Sequence, residues 1–86
     1  MHSIWVANIG IFVLMNNIRR TVGKNIRYYR LRIHLTQLDV AARTNMDVIT
    51  ISRIELGKVN AKIETLYEIA KALEIDIYKL FIEKKK

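Results

Sequence analysis

In the stretch "VITISRIEL", Arg53 follows Ile49 by four residues, so on a helix the two side chains share one face. A guanidinium forks onto guanine O6 and N7, a contact worth about 1–3 kcal/mol of discrimination, and an outward aliphatic one turn earlier suits a thymine methyl. Both residues also have plainer readings. Arg53 could be a surface or phosphate-bound arginine, and Val48 with Ile49 could widen a core stripe or touch a partner chain. Helical spacing separates the two neighbouring aliphatics. If Ile51 and Ile54 face the core, Val48, three residues before Ile51, lies at the edge of that face, while Ile49 sits about 200° around the cylinder and points outward.

Other chemistries find little support. The chain has no cysteine, which excludes a disulfide frame and a thiolate metal site. His2 and His34 are its two histidines, too few for a multi-histidine metal centre, and no nucleophile stands at readable spacing from a base. The sequence therefore reads as no enzyme, with no cofactor and no metal. Fifteen Lys and Arg against eight Asp and Glu give a formal net charge of +7. The excess is one-sided: from Met1 to Arg43, seven basic residues (Arg19, Arg20, Lys24, Arg27, Arg30, Arg32, Arg43) meet a single acid, Asp39. Such a field points to a polyanion, either nucleic acid or an anionic membrane, with solubility alone as the bland alternative.

The elements that must position these residues read as helices. Eighty-six residues with 51% hydrophobic and 27% charged side chains, three glycines and no proline make one all-α domain. A chain this short buries only about 60% of its unfolded surface, so its core must be compact or helped by a partner. Val22, Ile26, Tyr29 and Ile33 form the apolar stripe of a first helix capped by Thr21. Thr36 caps a second, "QLDVAAR", in which Leu38, Ala41 and Ala42 supply packing surface; "TN" breaks it at Asn45, a residue that tolerates the left-handed conformation. Asp47 caps the third helix, with Ile51 and Ile54 buried and Gly57 as its stop. A fourth, "IETLYEIAKALE", carries Ile63, Leu66, Ile69, Ala70 and Leu73 on one stripe. A fifth begins at Asp76, turns Ile77, Leu80 and Phe81 inward and frays into a lysine tail.

Residues 1–20 differ in composition from the rest and form an apolar N-terminal extension to a domain spanning 21–86. Ile4 to Met15 is too short for a bilayer, which needs about 20 residues, and Arg19 and Arg20 follow the apolar run, the wrong order for a secretory signal. Three readings stay open: a strand or short helix packing on its copy in a dimer, an interfacial membrane anchor, or a start-site artefact, with Met15 beginning a reasonable chain of its own.

Two short helices joined by a three-residue turn can pack so that the second protrudes into a DNA major groove. Residues 35 to 81 resemble the lambda-repressor-like, Cro/C1-type helix-turn-helix family, through "LTQ" opening helix 2, Ala41 in its middle, the turn residue Asn45, "ISRIELGK" and "IETLYEIAKALEID". Asn45 replaces the usual turn glycine, Thr44 the preferred leucine, and Leu38 and Leu56 stand where charged residues are common. The resemblance implies a five-helix domain in which Gln37 bonds a phosphate and supports a neighbour in the reading helix. Val48, Ile49 and Arg53 would face base edges, and Thr50 and Ser52 the groove's rim. Lys58 adds a sequence-independent phosphate contact. Arg30 and Glu55 match a partly buried salt bridge between helix 1 and the reading helix. Tyr28 and Tyr29 read as core or rim rather than as stacking groups for single strands.

The function implied is that of a cytoplasmic, sequence-specific transcriptional regulator, a homodimer joined through helix 5 on a pseudo-palindromic operator of double-stranded DNA. An antitoxin-like module binding a partner protein is the alternative. A membrane-surface protein anchored by Ile4 to Met15 is a third reading, against which the overall pattern weighs.

Overall fold

The structure, a computed structural model, describes residues 4–83, with side chains from residue 17. Four α-helices follow one another: α1 (Ile4–Arg32), α2 (Gln37–Thr44), α3 (Val48–Glu55) and α4 (Ile63–Ala72), closed by a 3-10 helix at Ile77–Phe81. No strand occurs among the described residues.

The first helix departs from the sequence expectation. Thr21 does not cap it; α1 runs unbroken from Ile4 through Arg32, so the boundary expected between residues 20 and 21 falls inside a helix of 29 residues. The physical reason is local: the segment contains no proline, and "NNIRRT" carries nothing that forces the backbone out of the helical region. The surface that Ile4 to Met15 presents, and the lysine tail, lie outside the described residues.

The core is assembled from one stripe per element. Val22 and Ile26 of α1, Val40 and Ala41 of α2, Ile51 and Ile54 of α3, Leu66, Ile69 and Ala70 of α4, then Leu73 and Leu80, form a single buried cluster. Several residues expected in it lie outside. Leu38 and Ala42 are exposed, because the inward face of α2 centres on Val40 and Ala41 and Leu38 stands about 200° around from Val40. Ile63 is exposed at the first turn of α4. Phe81 is exposed because the last element is a 3-10 helix: at three residues per turn, Ile77 and Leu80 align inward and Phe81 falls on another side.

All four α-helices end alike. His34, Asn45, Gly57 and Glu74 adopt left-handed backbone conformations, with φ of 60°, 56°, 71° and 62°. In each case the following N–H reaches back five residues, as Leu35 to Arg30, Met46 to Ala41, Lys58 to Arg53 and Ile75 to Ala70, all at 3.0 Å. At the other end of α2, Thr36 Oγ1 accepts from Asp39 N at 3.0 Å, while Asp39 Oδ2 accepts from Thr36 N at 2.8 Å, a reciprocal capping box. Asp47 caps α3 by accepting from Ile49 N at 3.0 Å.

Two polar side chains tie distant pieces together. The buried Asn25 of α1 donates both amide hydrogens, to Leu80 O and Ile82 O, each at 2.8 Å, and so fixes the C-terminal 3-10 helix on α1. Arg43 of α2 donates to Ala72 O at 3.0 Å, satisfying an orphan carbonyl at the end of α4.

The crossing of α1 with α3 is set by backbone. A Cβ added at Gly23 would lie 2.4 Å from Glu55 O and 2.6 Å from Ile54 O, so only glycine admits this approach. Alanine in a helix interior ordinarily stabilises by about 1 kcal/mol over glycine. Here Gly23→Ala is expected to destabilise by about 1–3 kcal/mol, because the two helices must part. Urea unfolding of the two proteins checks the sign; a stabilised variant would show that the crossing can shift freely.

Candidate nucleic-acid interface

Between α2 and α3 stand three residues, Asn45, Met46 and Asp47. Asn45 takes the left-handed turn and Met46 packs against the core, so that α3 starts at once in a new direction under the cap of Asp47. Ile51 and Ile54 bury one face of α3. Its opposite face is left to solvent: Ile49 is 58% exposed, and Thr50 and Arg53 are exposed beside it. Val48 is half-buried against the core and Ser52 is half-buried. Of the two adjacent aliphatics, one therefore closes the core edge and the other points away from it. Leu56, 61% exposed, extends the same outward row at i+7 from Ile49 and three residues after Arg53.

What holds α3 in place is a charged cluster at its far end. Arg30, in the last turn of α1, donates from Nε to Glu55 Oε2 at 2.6 Å and from Nη2 to Glu55 Oε1 at 3.0 Å. The pair is buried, its side chains 9% and 3% exposed. Arg30 Nη1 also donates to Leu35 O at 2.9 Å, and Gln37 Nε2 donates to Glu55 Oε1 at 3.1 Å. One carboxylate thus joins α1, α2 and α3, and Arg30 adds the loop after α1. Among the described residues, every buried side-chain N or O atom has a hydrogen-bond partner. Gln37 therefore spends one amide hydrogen on Glu55, and its second, with the backbone N–H groups that open α2, remains for another acceptor.

The α3 to α4 loop lies against α1. A Cβ at Gly57 would meet Arg20 Cα and N at 3.3 Å, and Arg19 Nη1 donates to Asn60 Oδ1. Lys58, exposed, follows Gly57 directly. Further along α1, Tyr28 and Tyr29 meet edge to face at 5.0 Å between ring centres, and Arg32 lies over Tyr28 at 5.6 Å while donating to its hydroxyl at 3.0 Å. That hydroxyl holds the Arg32 guanidinium above its usual pKa. Among the described residues, no cluster of three or more His, Cys, Asp or Glu could hold a metal ion, and no helix is long and apolar enough to cross a membrane.

Sequence reasoning missed Leu56 as part of the outward row, the Gly23 crossing, the Asn25 clamp and the Asp39 half of the capping box. Two signals were present: Thr-x-x-Asp at 36–39 is a capping-box pattern, and a glycine inside a helical stripe marks close backbone approach.

A compact helical domain whose second short helix stands on two packed helices, with its outer face free, defines the helix-turn-helix class. The helix-turn-helix family model matches residues 26–80. An uncharacterized HTH-type transcriptional regulator of Sinorhizobium fredii, y4dJ, is 37% identical over 59 residues, 69% of this chain and 77% of its own. Among solved structures, the wild-type restriction-modification controller C.Esp1396I is 31% identical with a TM-score of 0.71, the match covering 80% of this chain and 96% of that one. The controller C.AhdI from Aeromonas hydrophila is 25% identical with a TM-score of 0.71, covering 73% and 96%. The chain belongs to the Cro/C1-type helix-turn-helix family of DNA-binding transcriptional regulators.

Two outcomes follow for the scaffold. Glu55→Ala leaves a buried guanidinium uncompensated and should cost about 3–5 kcal/mol in urea unfolding, whereas Arg30→Met with Glu55→Leu should recover much of that loss. The second concerns Asp39, whose carboxyl is held below the usual 3.8 first by the backbone N–H and then by the hydroxyl of Thr36. Because the folded value is the lower one, this stabilisation is present above pH 3.8 and is lost as pH falls through the folded pKa. Asp39→Asn should therefore melt below the wild type at neutral pH, and the gap should close in acid; a constant gap would assign the effect to shape rather than charge.

Proposed function

We propose that this chain is a repressor or operon controller that reads a specific double-stranded sequence through the outer face of α3. It acts as a homodimer on a pseudo-palindromic operator with half-sites about one helical turn, ~34 Å, apart. The observation that carries the reading is the pairing of Ile49 and Arg53, exposed one turn apart on a helix whose other face and far end are locked into the domain. In this assignment Arg53 bonds a guanine edge, Ile49 packs on a thymine methyl, and Val48 touches bases from the rim of the core. Thr50 and Ser52 meet the groove's edge. Gln37 at the N-terminus of α2 and Lys58 beyond the end of α3 hold the two flanking phosphate strands. Support comes also from C.Esp1396I, a restriction-modification controller known as a nucleoprotein complex, 30% identical to this chain in that structure. Exposed Tyr78, Phe81 and Ile82 at the C-terminal 3-10 helix supply apolar surface for a dimer contact. Such a regulator needs no cofactor and works in the cytoplasm, where its operator is.

A second reading is favoured by one observation. Leu38 and Leu56, 67% and 61% exposed, flank Gln37 and Glu55 in sequence, and an antitoxin-like module would cover such aliphatics with a partner protein. Selection from a randomised duplex pool, followed by fluorescence anisotropy at two salt concentrations, separates the two. The regulator reading expects an enriched palindrome and a loss of about 1–3 kcal/mol on Arg53→Ala, confined to the preferred sequence. Binding that enriches no sequence and ignores Arg53→Ala would make α3 a scaffold.

A further inference from the structure

The outer face of α3 uses few of the chain's cations. Arg20, Lys24 and Arg27 are exposed and recur at i, i+4 and i+7, one row along α1. None of them, nor Lys58, has an ion-pair partner among the described residues, and Glu83, which shares a shallow depression with Arg20 and Lys24, forms no salt bridge there. Their position matters more than their number. Arg20 and Arg27 stand about one turn on either side of Gly23, where α1 touches the carbonyls of Ile54 and Glu55. The Arg20 backbone lies against Gly57, the residue before Lys58. The row therefore runs past the end of the reading helix, from the α3 to α4 loop at Arg20 to a point short of the Arg30–Glu55 pair at Arg27.

We propose that Arg20, Lys24, Arg27 and Lys58 form a strip, starting at the α3 to α4 loop and running along α1 past the end of α3, that binds the DNA backbone flanking the groove occupied by α3. The strip rests on the reading of α3 given above. Its dimensions fit one strand. Arg20 to Arg27 spans about 10 Å at ~1.5 Å per residue, and a strand carries one phosphate per ~3.4 Å of duplex axis, so three cations face roughly three phosphates. Four exposed cations on one surface, none in a salt bridge among the described residues, make a local positive field that a phosphate strand meets with opposite charge. The contact carries no base information. It raises affinity for every duplex alike and is the most salt-sensitive part of binding.

The test is the triple variant Arg20→Gln, Lys24→Gln, Arg27→Gln in the full chain, measured by anisotropy on a selected and a scrambled duplex across a salt series. All three side chains are exposed, so the variant should melt as the wild type does, and circular dichroism verifies this. The expected result is weaker binding by the same factor on both duplexes, with the slope of log K against log salt reduced by about 0.9 per phosphate lost, hence by about 2–3. A selected duplex trimmed at both ends should bind wild type and variant equally. If the triple variant keeps the wild-type slope while Arg53→Ala still abolishes sequence preference, the strip does not touch DNA and the proposal fails, with the α3 reading intact. If the wild type binds no duplex, both fail. Binding to phosphatidylserine vesicles that the triple variant loses, while its DNA binding stays unchanged, would reassign the strip to a membrane surface and overturn the proposal.

Discussion

A single carboxylate, that of Glu55, decides where α3 stands. It receives two hydrogen bonds from Arg30 and one from Gln37, so three helices converge on two oxygen atoms, and Arg30 ties in the loop after α1 through Leu35 O. Isolated, a buried pair of this kind is a poor source of stability, because desolvation offsets most of the attraction. Its value here is geometric. Apolar packing by Ile51 and Ile54 fixes which side of α3 faces inward, but it does not fix the rotation or height of so short a helix; bonds of defined direction do. The outward row of Ile49, Arg53 and Leu56 is presented at one angle because the far end of α3 is pinned.

The rest of the domain arranges itself around that point. Gly23 lets α1 approach the last carbonyls of α3 closely enough for Arg30 to reach Glu55. The capping box at Thr36 and Asp39 starts α2 at the residue that completes the cluster, Gln37. Asn25 and Arg43 act one layer further out, holding the C-terminal 3-10 helix and the end of α4. Side-chain to backbone bonds of this sort do for an 86-residue domain what a larger apolar core does elsewhere.

Much of this was legible in the sequence, for identifiable reasons. Asp47, Asn45 and Gly57 each have a side chain, or lack one, suited to a single backbone task, and each performs it. Ile51 and Ile54 sit at helical spacing with no competing assignment. Where the reading faltered, the cause was context. Thr21 is a good cap in isolation, yet the helix passes through it, since a cap residue permits a start and does not compel one. Phe81 and Ile63 belong to apolar stripes on an α-helical wheel, but the 3-10 geometry leaves Phe81 outside, and Ile63, the first residue of α4, is exposed. The left-handed residues His34 and Glu74 carry no composition signal, because their conformation is imposed by the turn that follows. The exposed row of α3 was visible as a set of residue types; its orientation depends on Glu55 bonding partners 18 and 25 residues away, which no local pattern reports.

The unbroken course of α1 gives the molecule a mechanical property. Gly23 is a pivot at which two backbones rest on each other, and from it the helix reaches back to Ile4 as a stiff arm of about 28 Å. Tied to α3 again about 10 Å further on, where Arg30 bonds Glu55, the two helices turn together, so a tilt of about 5° in α3 swings the tip of that arm by roughly 2.5 Å. The linkage runs both ways: a displacement of the arm's tip reaches α3 as a smaller movement and a larger force.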